Sequence, residues 1–150
     1  MSKTAKRAFL LILVLSAGLR LYLSLFVKTA AVYNDELFYL EMAQNFWRKG
    51  TLTVYTVPIH FSKLLYSLLL APFFAVKDGL LRTQLISGFN ALLVSSSLIP
   101  GYLLAKRTLK KTGHLVAVLL LLALSPNLLF PLTFMAENLY LPLLLWGFYA

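Results

Sequence analysis

Two adjacent carboxylates, Asp35 and Glu36, are the residues whose types and spacing most directly suggest chemistry. They follow a long apolar run and begin a predicted amphipathic helix over 35–49, where the positive end of the helix dipole stabilises negative charge. A carboxylate at a membrane surface can accept a proton from a hydroxyl or amide nucleophile, or hold a divalent cation. Taken alone, the pair is better explained as a helix cap in a solvated outer loop.

Glu137 is the second candidate acid, and no acid lies between it and Asp78. It stands at the predicted outer end of an apolar run, in the sequence Phe134-Met135-Ala136-Glu137-Asn138. Acids close to a membrane are costly and are commonly functional. Glu137 also fits the N-cap of the helix that follows it.

Three basic side chains are candidates for binding a phosphate group. Arg20 lies inside the first apolar run, where it either reaches a lipid phosphate or Asp35, or snorkels to the interface. His60 and Lys63 follow Pro58 and either contact a phosphate or serve as an ordinary loop histidine and interfacial lysine. The sequence has no phosphate-cradling glycine loop, no metal-spaced histidines and no nucleophile elbow.

The composition indicates a protein that is solvated by a bilayer. The 150 residues are 60% hydrophobic and 13% charged, whereas soluble domains have about 45–50% apolar and about 25% charged residues. The net charge of +9 does not indicate nucleic-acid binding, because no hydrophilic domain is present to display a basic stripe. Cysteine is absent, which excludes a disulfide framework and a thiolate metal site.

The charge pattern predicts an all-α membrane domain over 1–150. Its spans cover about 8–27, 80–105 and 115–135, with a partial span over 139–150 and an outer loop over 28–79. Lys106–Lys111 has four cations and no acid, so this loop and the basic N-terminus are predicted to be cytoplasmic. Leu64–Val76 has 13 residues, too few to span, and is predicted to be re-entrant or interfacial. All five acids then face outward.

A set of features follows in a fixed order along the chain. They are Arg20-Leu21-Tyr22 ending the first span, Asp35-Glu36 in the outer loop, Pro58–Val76, Arg82 opening a span, Leu103–Arg107 closing it, and Ser125-Pro126 before Glu137. This order resembles the polytopic glycosyltransferases of the GT-C fold, which include the protein O-mannosyltransferases and the aminoarabinose transferases. Relatives often have a Pro-Pro pair beside a basic residue, where this chain has Pro58-Ile59-His60.

The resemblance implies transfer of a sugar from a polyprenyl-phosphate donor to a lipid, glycan or protein acceptor at the outer face of the cell membrane. It implies that Asp35 is the base or metal contact, with Glu36 supporting it and Glu137 completing the site. Arg20, His60 and Lys63 are then substrate-binding residues. A divalent metal on Asp35 and Glu137 is left open as a cofactor, because two oxygen ligands are too few alone.

The family has more spans than this sequence holds, so the chain is expected to be an N-terminal part that is inactive alone. The alternative is a non-catalytic polytopic membrane protein, such as a transporter fragment or an assembly subunit. A transporter is expected to place ionisable groups near the middle of the membrane and to have repeated halves. Only Arg20 is predicted to lie within a span.

Overall fold

A computed structural model describes residues 3–29, 34–54, 57–58, 64–124 and 128–150, and helices dominate them. Two 3₁₀ segments cover Ala71–Ala75 and Phe130–Leu132, and two short antiparallel strands cover Thr53–Val54 (β1) and Val57–Pro58 (β2). The α-helices are α1 Lys3–Ser24, α2 Asn34–Lys49, α3 Leu64–Leu70, α4 Gly79–Ser96, α5 Leu98–Thr108, α6 Thr112–Leu124 and α7 Glu137–Tyr149.

Helix α1 runs antiparallel to α4 and α5. At one end, Gln84 Nε2 donates to the carbonyl oxygen of Leu25 over 2.7 Å. Towards the other end, the rings of Phe9 and Tyr102 stack with centroids 4.2 Å apart. The start of α1 and the α5–α6 turn therefore share one end of the molecule, which we call the basic end. It holds Lys3, Lys6, Arg7, Lys106, Arg107, Lys110 and Lys111.

Among the described residues, two helical stretches are long and apolar enough to cross a membrane, judged by length and composition. They are α1, with 22 residues, and Gly79–Thr108, with 30 residues. The second stretch is interrupted at Ser97, where α4 gives way to α5. Pro100 explains the interruption, because proline has no N–H for the carbonyl of Ser96 and its ring clashes with that group.

A third full span over 115–135 is not supported. Helix α6 ends at Leu124 after 13 residues, or about 20 Å of helix, which is shorter than a hydrocarbon core of about 30 Å. Pro131 lies at the start of the 3₁₀ segment, and the backbone at Thr133 is extended. Helix α7 then begins at Glu137 and packs against α4 and α5. The chain therefore changes direction where the prediction placed a continuous helix.

The segment between α1 and α4 agrees with its predicted helices. Helix α2 covers the predicted amphipathic helix, and Gly50 ends it with φ of 68°, a left-handed conformation that favours glycine. The apolar side chains of α2 are only partly buried, because Tyr39 and Met42 are enclosed while Trp47 is exposed. The 13-residue run from Leu64 is helical as α3 and a 3₁₀ segment, both packed on α2.

Two clusters of buried apolar residues hold the helices together. One joins α2, α3, α4 and the start of α7, and includes Tyr39, Leu70 and Phe134. The other joins α5 to α6 at the basic end. In the second cluster, a Cβ atom at Gly101 would lie 2.5 Å from Leu122 Cδ1, so any other residue at this position would require the Leu122 side chain to move.

Candidate functional site

Four polar side chains meet where α2, α3, α4 and α7 converge, and we call this group the polar junction. Its members are Glu36, Tyr66, Asn90 and Asn138, and each is at most 1% exposed. Burying a polar group costs free energy unless a hydrogen bond replaces the lost water. The hydrogen bonds within the junction therefore fix how the four helices are placed.

Glu36 joins the start of α2 to the segment that precedes α7. Its Oε1 atom accepts a hydrogen bond from the backbone N–H of Phe134 over 2.9 Å, across 98 positions of sequence. This hydrogen bond therefore joins the two segments in which acids were predicted to act. They are residues 35–36 and residues 134–137.

Tyr66 and two asparagines complete the junction. The hydroxyl of Tyr66 donates to Asn90 Oδ1 over 3.1 Å, and Asn90 Nδ2 donates to the carbonyl of Thr133 over 3.0 Å. Asn138 Nδ2 donates to the same carbonyl over 2.8 Å. Burial raises the pKa of Tyr66, and the charge of Glu36 adds to the rise, whereas side-chain hydrogen bonds with Asn90 and Asn138 oppose it. The hydroxyl therefore stays protonated and serves as a donor.

Two buried polar atoms at the junction have no hydrogen-bond partner among the described residues. They are the hydroxyl oxygen of Ser67, next to Tyr66, and Oδ1 of Asn138, next to Glu137. Leaving such an atom unpaired costs about 1–3 kcal/mol. Unpaired buried atoms are uncommon in folded proteins, and a bound water or ligand usually accounts for them.

An open pocket of about 470 Å³ lies beside the junction. Tyr66, Glu137 and Tyr140 supply the polar groups of its wall, and the rest is apolar, including Leu65, Leu139 and Leu143. A mainly apolar cavity of this size with a few polar groups is typical of a small-molecule or lipid site. The pocket and the polar junction together form the candidate functional site.

The three acids that were predicted to form the active site, Asp35, Glu36 and Glu137, occupy three different environments. The side chain of Asp35 is exposed at the start of α2, whereas that of Glu36 is completely buried. Glu137 is half-buried and lines the pocket. The structure thus assigns Glu36 to the interior, Glu137 to the pocket wall and Asp35 to the surface.

Arg20 lies inside the helix assembly. Its side chain is 0% exposed, and Nη1 donates to the hydroxyls of Ser16 and Ser95. The Nη2 atom donates to the carbonyl of Ala123 over 2.8 Å, so the guanidinium links α1, α4 and α6. Contact with a lipid phosphate would require these three helices to separate. The other two predicted phosphate contacts, His60 and Lys63, lie outside the described residues.

A metal site on Asp35 and Glu137 stays a prediction. Within the described ranges, no group of three or more histidine, aspartate or glutamate side chains is close enough to hold a metal ion together. Divalent magnesium and calcium prefer six or more oxygen ligands. No chemical step proposed below uses a metal.

Sequence reasoning missed Tyr66, Asn90 and Asn138. A signal for Asn90 was present, because an amide within an apolar run commonly hydrogen-bonds to a neighbouring helix. Tyr66 and Asn138 gave no comparable signal, since tyrosine fits an apolar helix and Asn138 follows an acid that drew attention first. No family model, curated protein or solved structure matches the chain.

Proposed function

We propose that this chain forms the N-terminal part of a polytopic membrane glycosyltransferase that takes its sugar from a polyprenyl-phosphate donor. The observation that carries the proposal is the hydrogen bond from Phe134 N–H to Glu36, which joins the two acid-bearing segments beside a 470 Å³ pocket. The order of residues that resembles the GT-C enzymes supplies the reaction class. The geometry adds a mainly apolar pocket whose wall carries the carboxylate of Glu137.

Membrane placement is supported by the surface of α1. Leu11, Val14 and Leu15 are each at least 60% exposed, although a core helix of a soluble protein would bury them. Charge supports it as well, because the seven cations at the basic end have no acid near them in sequence. Helix ends with an excess of lysine and arginine are typical of the cytoplasmic side.

In the proposed reaction, Asp35 accepts the proton of the acceptor hydroxyl. The hydroxyl oxygen forms a bond to the anomeric carbon of the sugar as the bond from that carbon to the phosphate oxygen breaks. The departing polyprenyl phosphate keeps the electron pair. Glu36 holds the first turn of α2 in place through Phe134, and Glu137 orients the substrate from the pocket wall. The reaction requires that the fold hold these groups close to the substrate.

Orientation across the membrane can be tested by cysteine labelling, because the chain has no cysteine of its own. We expect Thr51→Cys and Gly79→Cys to react with an impermeant thiol reagent on intact cells. Gly113→Cys, at the start of α6, should react only after the cells are permeabilised. Residue 113 is a suitable site because an added Cβ meets no atom within 4 Å. Reaction of both Gly79→Cys and Gly113→Cys on intact cells would refute the proposed topology.

The function itself can be tested by filling the pocket. Leu143 lines the pocket, whereas its exposed neighbour Leu144 does not. In the complete protein, Leu143→Trp should lower sugar transfer from a polyprenyl-phosphate donor at least about tenfold, because lost positioning alone can cost more than that. Leu144→Trp is the matched control and should transfer normally. The measurement is release of polyprenyl phosphate by purified protein.

A non-catalytic membrane protein is the second candidate, and the burial of Arg20 within a candidate span favours it. Ionisable groups within spans commonly mark transport pathways. If the protein is non-catalytic, the complete unmodified protein should release no polyprenyl phosphate from any sugar donor that is tested. That result, with protein that is folded and inserted, would exclude the transferase proposal.

A further inference from the structure

A polar cleft of about 240 Å³ lies at the basic end, away from the pocket and the polar junction. Its wall combines Ala5 from α1, Lys106 from the last turn of α5, and Lys110, Lys111 and Thr112 from the turn into α6. Three lysines thus border one small cleft, which we call the basic cleft. Nothing in the proposed sugar transfer uses it.

The positive charge of the basic cleft is not balanced by acids nearby in sequence. Residues 79–136 contain no aspartate or glutamate, and neither do residues 1–34. The neighbouring Arg107 is engaged elsewhere, because it donates to the carbonyl of Tyr149 over 3.0 Å and lies 4.1 Å from that ring. The three lysines are exposed, so their charge is available to a partner.

Helix capping does not account for the lysines. The carbonyl of Ala105, at the end of α5, accepts from Leu109 N–H over 2.8 Å and from the Thr108 hydroxyl over 3.4 Å. The same hydroxyl also reaches the carbonyl of Leu104 over 3.3 Å. The cleft is bordered as well by Thr112, where α6 begins, and the positive end of a helix dipole attracts anions. The three lysines and the start of α6 therefore both favour a negatively charged ligand.

We propose that the basic cleft binds the phosphate group of an anionic phospholipid. The source is a lipid because α1, whose Ala5 borders the cleft, carries the exposed apolar side chains of Leu10 and Leu11 further along the helix, where acyl chains can lie. Basic pockets between helices at the cytoplasmic side of a membrane favour anionic head groups. The inference rests on the proposed membrane placement of α1, and it does not depend on sugar transfer.

The test measures lipid retention by the chain purified in detergent with either phosphatidylglycerol or phosphatidylcholine, read by native mass spectrometry. We expect phosphatidylglycerol to be retained and phosphatidylcholine to be lost. In the triple variant Lys106→Gln, Lys110→Gln and Lys111→Gln, affinity for phosphatidylglycerol should fall roughly 100-fold, since each lysine near a head group contributes about fivefold. The matched control replaces three exposed lysines elsewhere, namely Lys28→Gln, Lys49→Gln and Lys77→Gln.

The control removes the same charge and should keep most of the affinity. Equal losses in the two triple variants would show a general charge effect and overturn the proposal. Inorganic phosphate should displace the bound phosphatidylglycerol poorly. Efficient displacement by phosphate at the same concentration as the lipid would overturn the assignment to a lipid. Circular dichroism of both variants checks folding, and Lys110→Gln alone should still lower affinity. The lipid-retention assay contains no sugar donor. If the protein retains phosphatidylglycerol but transfers no sugar, the proposed function fails while the proposed lipid site stands.

Discussion

Replacing Asp35 by asparagine should lower sugar transfer by the complete protein about 10²–10⁴-fold, the usual contribution of a general base. Asparagine keeps the size of the side chain and caps a helix about as well as aspartate, so a capping role alone predicts almost no loss. The exposed position of Asp35 leaves it accessible to an acceptor hydroxyl. The measurement is turnover with a polyprenyl-phosphate donor at saturating acceptor, with protein amount checked in parallel.

Asp78→Asn is the matched control for the Asp35 variant. Asp78 is also exposed at a helix start, and its carboxylate accepts from Leu81 N–H over 2.7 Å, a contact that asparagine can replace. We expect it to have normal turnover. Normal turnover of Asp35→Asn as well would contradict the base assignment.

Glu36→Gln distinguishes the two adjacent acids. Glutamine keeps an oxygen that can accept from Phe134 N–H, so the junction should hold and activity should fall less than in Asp35→Asn. If Glu36→Gln instead shows the larger loss, the base is Glu36 and the surface residue Asp35 only caps α2. Either outcome assigns the proton acceptor to one of the two carboxylates.

The parts of the fold that the sequence predicts well are those that local chemistry determines. Helix α2 follows from its apolar period and ends at Gly50, where a left-handed backbone favours glycine. Hydropathy and length locate α1 and the stretch Gly79–Thr108. The bend that ends the predicted third span depends on Pro131 and on how the following segment packs against α4, which hydropathy does not measure.

The candidate site is less predictable because it depends on contacts between distant segments. Adjacent residues on a helix point about 100° apart, and the sequence does not reveal which of Asp35 and Glu36 faces the interior. The structure decides it through the backbone N–H of Phe134, a group that every non-proline residue carries and no motif can mark. Asn90 and Tyr66 likewise become site residues only because α3 packs next to α4.

Replacing Arg20 by alanine should produce the largest loss of stability of any single substitution considered. Two of its hydrogen bonds cross between helices, to Ser95 and to the carbonyl of Ala123. Hydrogen bonds to a charged group contribute about 1.5–3 kcal/mol each, so the free energy of unfolding should fall by about 3 kcal/mol or more. Alanine also leaves a cavity between α1, α4 and α6, which adds to the loss. Denaturant unfolding of the purified chain in lipid micelles, followed by circular dichroism, measures the change.

Arg7→Ala is the control for the Arg20 substitution, because it removes the same side chain from an exposed position on the same helix. Exposed substitutions of this kind change stability by about 0.5 kcal/mol or less. Arg20→Lys keeps the charge but cannot present the planar set of donors that reaches Ser16, Ser95 and Ala123 together, so it should recover only part of the loss. If Arg20→Ala instead unfolds like the unmodified chain while sugar transfer by the complete protein is lost, Arg20 does not hold the helices together. It then contacts the lipid phosphate, as the sequence first suggested.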